Sequence, residues 1–228
     1  MSRLWKKFSR LTEDCYCNMI SADQDKSVWH KTFDTAVKAI EEERSKNPDF
    51  GKELFQVDEE TDFEYGVEDW LMDYLDELGM CKMNEKRYEV CEKIIGLFAW
   101  EEQSPADYRF EMASALSDQG KADEAVSFCE KWYKEEPEAE LSAVALIYAR
   151  VNAKDYDGAE QLVEKYISKG DECTEENELV YRAAVRLYEE RGDKKTAKQM
   201  KKLLDKYDEE VEQELMEEFD DDDILPFS

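Results

Sequence analysis

Histidine is almost missing from this chain of 228 residues: there is one, His30. A lone imidazole has no second one for acid–base work, and no HExxH pattern is present to hold zinc. Six cysteines (Cys15, Cys17, Cys81, Cys91, Cys129, Cys173) form no CxxC pair, so neither a metal nor another cofactor is expected. GxSxG, P-loop and GxGxxG patterns are absent too, and the abundant carboxylates lack the partners that would turn them into an enzyme site. A non-catalytic protein is therefore expected. Glycine and proline are scarce, eight and four, which favours helices over a sandwich of short strands. No run of about 18 apolar residues exists and no apolar leader opens the chain. The expectation is a cytoplasmic, reduced protein in which Cys91 and Cys129 are small core residues.

Positive charge is also in short supply. Against 59 acids stand 31 Lys and Arg, a formal net charge of −28, which repels nucleic acid and favours partners with a basic face. The imbalance is uneven: residues 208–228 hold eleven acids and no base, whereas Arg3, Lys6, Lys7 and Arg10 make the start of the chain basic. Beside Trp5 and Phe8 those cations suit an anionic membrane surface. The body's charge opposes that approach, so no stable membrane association is expected. The competing reading packs Leu4, Phe8 and Leu11 on the next helix and pairs Lys6, Lys7 and Arg10 with acids.

What the chain does contain is repetition. Four segments read alike: Lys86-Arg87-Tyr88-Glu89-Val90-Cys91, Gly120-Lys121-Ala122-Asp123-Glu124-Ala125, Lys154-Asp155-Tyr156-Asp157-Gly158-Ala159 and Gly192-Asp193-Lys194-Lys195-Thr196-Ala197. Their small closing residues lie 34, 34 and 38 positions apart, a solenoid period, with hairpins starting near 72, 106, 140 and 178. Gly79 or Ala113 facing Ala125 would let two helix axes approach. Gly120 and Gly192 suit helix C-termini because glycine takes positive φ without a Cβ clash, and Pro137 stops the preceding helix.

The second copy carries Met112-Ala113, Leu116, Gly120, Ala125 and Pro137; the first Leu75, Leu78-Gly79 and Tyr88; the third Leu146, Asp155-Tyr156 and Ala159; the fourth Tyr188, Gly192-Asp193 and Ala197. On these residues the stretch 67–210 resembles tetratricopeptide (TPR) repeats. Ile147 and Val185 depart from the pattern at its small position, and the last step carries four extra residues around Gly170, Asp171, Glu172 and Cys173. The resemblance implies an all-α, right-handed TPR-like superhelix, or solenoid, whose first helices line a concave groove for a protein or peptide. Groove positions would be Asp76, Met80, Asp107, Phe110, Ser114, Leu141, Val144, Tyr148, Leu179, Arg182 and Arg186. Phe110, Val144 and Leu179 have the alternative of packing against neighbouring hairpins. In chaperone adaptors of this family, basic and amide groups of three copies clamp a partner's terminal carboxylate. Here Asp76, Met80 and Glu111 stand at the first two sets, so only the basic pair carries over. Arg182 and Arg186, four apart, would hold a carboxylate jointly or pair with Glu189 and Glu190.

The flanks complete the plan. Residues 1–66 read as a helical extension: a helix over 3–20, a second over 25–46, and an apolar insertion over 47–66 with a helical turn near 51–55. Ala36 and Pro48 repeat the spacing of Ala125 and Pro137, so the first two helices have the look of a decayed repeat. Residues 67–219 form the repeats and a long capping helix, and 220–228 an acidic, then apolar tail. That tail either folds Ile224, Leu225, Pro226 and Phe227 into the groove or stays disordered. The function expected is an adaptor that binds a partner in its groove. Two other classes remain: a homo-oligomeric scaffold meeting through Trp5 or Phe219, and an enzyme using groove carboxylates.

Overall fold

The computed structural model describes residues 2–20, 25–168 and 170–222, for 217–222 the backbone alone. The tail residues Ile224, Leu225, Pro226 and Phe227 and the side chain of Phe219 lie outside this description. Among the described residues there are eleven helices and no strand: α1 (Arg3–Met19), α2 (Ser27–Lys46), α3 (Leu54–Glu60), α4 (Val67–Met80), α5 (Asn84–Leu97), α6 (Ala106–Asp118), α7 (Ala122–Glu135), α8 (Glu140–Asn152), α9 (Tyr156–Tyr166), α10 (Glu178–Arg191) and α11 (Lys194–Asp222). Contacts divide the chain into two compact units, residues 1–115 and 116–228, with the boundary inside α6.

The first unit is held by aromatic rings. Trp5, Phe8, Leu11 and Cys15 recur at helical spacing and form the buried face of α1, which packs along Trp29, Phe33, Ala36, Val37 and Ile40 of α2. Trp29, Trp70 and Tyr74 stack with centroids 5.3 to 6.0 Å apart, and Trp5 lies 5.0 Å over Tyr65. Such pairs contribute about 0.5–1.5 kcal/mol each beyond their area. Trp5 and Phe8 are buried, so the two rings beside the α1 cations are turned into the core rather than toward a membrane surface. Nor does the competing reading's pairing of Lys6, Lys7 and Arg10 with acids appear among the described residues. Among the described residues these three and Arg3 have no acidic partner; they line a solvated cleft beside Leu4 and Glu42 on the outer side of α1.

The insertion 47–66 belongs to this core. Phe50, Leu54, Val57 and Tyr65 are buried, and its helix is α3 rather than a turn at 51–55. Buried Asp58 of α3 accepts from the amides of Val67 (2.7 Å) and Glu68 (3.0 Å), capping α4 where the N-cap residue Gly66 has no side chain to do so. Arg44 ties the segment to its neighbours, donating to the carbonyls of Phe50 (3.0 Å), Gly51 and Leu97 (2.7 Å) while lying 5.4 Å from the Phe98 ring.

In the second unit α8 is buried nearly all round, with Ala143, Val144, Ala145, Leu146, Ile147, Ala149 and Val151 in the interior and α7, α9 and α10 packed about it. Ala125, Ala159 and Ala197 are buried in the second helices of their hairpins. The long α11 packs on α10.

Each of the four hairpins from α4 onward turns on one residue with positive φ: Lys82 (56°), Gly120 (75°), Lys154 (62°) and Gly192 (86°). The first three turns share the same bonds, in which the residue after the turn donates to the carbonyl five positions back: Met83 to Leu78, Lys121 to Leu116, Asp155 to Arg150. This geometry corrects the phase of the first copy. Five residues after Gly120, Lys154 and Gly192 come Ala125, Ala159 and Ala197, but five after Lys82 comes Arg87, not Cys91. Buried Arg87 fits because it lies against Gly79, where an added Cβ would sit 2.9 Å from its Nη1. At Gly192 a side chain is disfavoured by the backbone alone, while at Lys154 it is already tolerated. Gly192→Ala should therefore lower unfolding free energy by about 1 kcal/mol, whereas Lys154→Gly should lower it little or raise it, as read by urea denaturation.

Candidate functional site

Exposed apolar side chains distinguish one face of the first unit. The inward stripe of α4 is Trp70, Leu71, Tyr74, Leu75 and Leu78, which leaves Asp69, Met72, Asp73, Asp76 and Met80 outward at spacings of three or four. Met80 is 67% exposed and Met72 40%. The end of α1 adjoins this stripe, since the Tyr16 hydroxyl donates to Asp73 Oδ2 over 2.7 Å. Burial first, and Asp73 second, hold that phenol above the ordinary tyrosine range, so it stays a donor. One turn on, Ile20 caps α1 and is 89% exposed. The face thus alternates carboxylates with methionine and aliphatic surface.

Of the groove positions expected from the sequence, Asp76 and Met80 lie on this face. Asp107 is exposed on α6, with Phe110 and Ser114 half-buried. Tyr16, Met72 and Ile20 were missed. Tyr16, Met19 and Ile20 extend the apolar spacing of α1 and read as core, but the buried stripe ends at Cys15. Met72 sits off the groove positions that the repeat pattern nominates, and its only signal was an apolar residue between two outward aspartates.

The second unit brings Tyr148, Arg182 and Arg186 together where α8 and α10 pack. The Arg186 guanidinium lies 5.2 Å from the Tyr148 ring centre and donates to Asn152 Oδ1 at 2.6 Å. Arg182 instead donates to Glu178 (3.0 Å) and Asp208 (2.7 Å), and neither arginine pairs with Glu189 or Glu190. The joint carboxylate clamp is thereby divided: Arg182 is already neutralised, while among the described residues Arg186 has no carboxylate partner. Tyr148 is raised above its ordinary range by burial, with Arg186 and Arg182 opposing. Val144 is 2% exposed and lies inside the unit; Leu141 and Leu179 are half-buried.

Among the described residues no three His, Cys, Asp or Glu side chains converge as a metal site would need, and no helix is long and apolar enough to cross a membrane. His30 Nδ1 meets the Tyr74 hydroxyl at 2.5 Å, a structural contact within the aromatic cluster. Burial pushes the Cys15 and Cys173 thiols up to about 11 and those of Cys91 and Cys129 to about 12, the reverse of an activated nucleophile. No protein-family model matches the chain, and no curated protein or solved structure is significantly similar to it.

The thiol environments yield a labelling order. At pH 8 a maleimide should modify exposed Cys17 first and leave Cys91 and Cys129 untouched until denaturant is added. Rapid labelling of either in the native protein, read by intact mass, would contradict these burial assignments.

Proposed function

We propose that this chain is a non-catalytic protein-interaction module whose partner presents a basic, amphipathic segment to the outer face of α4. The observation that carries the reading is the interleaving of Met72 and Met80 with Asp69, Asp73 and Asp76 on one side of one helix. Methionine adapts to varied apolar side chains, and the carboxylates select for cations beside them. The formal charge of −28 adds long-range attraction for such a partner. A TPR-like hairpin array and an adaptor role are part of the proposal. They are supported by the left-handed turns at 82, 120, 154 and 192, in steps of 38, 34 and 38 residues. A reducing, cytoplasmic setting accords with the unpaired thiols.

A fluorescent helical peptide with lysines on one face and leucines on the other tests the reading by anisotropy. It should bind, and Asp69→Lys with Asp76→Lys should weaken binding by about tenfold or more, as should raising salt. Affinity indifferent to both the substitutions and ionic strength would overturn it.

A further inference from the structure

Charge is sorted along α11 in the direction its own backbone disfavours. Lysines 194, 195, 198, 201, 202 and 206 occupy its first half with one acid, Asp205, whereas residues 208–222 hold ten acids and no base. Its first turn contains no acid and its last turn no base, so both ends oppose the helix dipole. Among the described residues only Lys206 of these lysines is ion-paired, to Glu172 and Glu210.

The helix also outruns its support. α10 has 14 residues and α11 has 29, roughly 21 and 44 Å at the usual rise. Arg182 meets Asp208 near the end of the paired stretch, and among the described side chains of α11 Leu204 is the last that is buried. Beyond it Leu215 is 49% exposed and Met216 66%. Beside the lysine half lies a cleft of about 540 Å³ between α9, α10 and α11, whose apolar side is Val163, Ile167, Tyr181, Tyr188, Met200 and Leu203 and whose rim includes Glu164, Asp171 and Lys202.

We propose that two copies of this chain associate with their α11 helices antiparallel, the acidic overhang of each lying along the lysine half and apolar cleft of the other. A second copy is the occupant that fits because the acidic overhang complements the lysine row of α11, its exposed Leu215 and Met216 match the apolar side of the cleft, and one chain carries both. An antiparallel pair centred near Tyr207 and Asp208 sets Lys201 opposite Glu214 and Met200 opposite Leu215. Each helix end then meets charge of the sign its dipole favours. The contact is isologous and closes at two subunits. It is independent of the α4 face.

Light scattering on the full chain tests it. The wild type should be a dimer at micromolar concentration that loosens with salt. Lys198→Glu, Lys201→Glu and Lys202→Glu together should give a monomer, and so should Glu209→Lys, Glu212→Lys and Glu214→Lys together. Mixing the two triple variants should restore a dimer, because both contacts of that pair are again between opposite charges, and this recovery separates lost association from lost folding. A wild type that stays monomeric would overturn the proposal. So would variants that remain dimeric, or a mixture of well-folded variants that stays monomeric.

Discussion

A residue in left-handed backbone at the end of a helix is the constraint on which the hairpins depend. It frees the chain to reverse within three residues and satisfies the last carbonyls of the outgoing helix through the amides of the turn. At Gly120 and Gly192 the conformation is easily adopted; at Lys82 and Lys154 the same turn is imposed on residues with side chains by the packing on either side. Because the turn fixes where the second helix begins, it also fixes which residue falls opposite the first helix. That position holds Ala125, Ala159 and Ala197 in three hairpins and Arg87 in the other, where Gly79 vacates the volume an arginine needs.

Packing inward decides what is left outward. Burying Trp70, Tyr74 and Leu78 orients α4 so that Met72, Met80 and three aspartates face solvent, and the Asp58 cap fixes where that helix starts. In the second unit the apolar faces of α8 and α10 meet, which leaves Tyr148 to support Arg186 from one side. The surfaces are by-products of core geometry with a chemistry of their own: acidic and soft on one unit, a guanidinium held over a tyrosine ring on the other.

The all-helical class was legible because apolar spacing of three and four residues runs through the chain and breakers are few. Gly120 and Gly192 announced their turns, since only a residue without Cβ adopts positive φ at no steric cost. Lys82 gave no such signal, and the first hairpin was accordingly phased by Cys91, four residues late. The cross-helix partner of Arg182 was not legible either. Asp208 lies 26 residues from Arg182, and only the antiparallel return of α11 brings it within 2.7 Å. Likewise spacing alone could not show that the stripe of α1 ends at Cys15, because Tyr16, Met19 and Ile20 continue its hydrophobicity but not its burial.

Methyl NMR of protein labelled at methionine reads the outer face of α4 most directly. On titration with a basic amphipathic peptide, the Met72 and Met80 signals should shift first and most, with buried Met112 and the cleft residue Met200 unmoved. Shifts centred on Met112 or Met200, or none at a peptide excess, would contradict binding at that face.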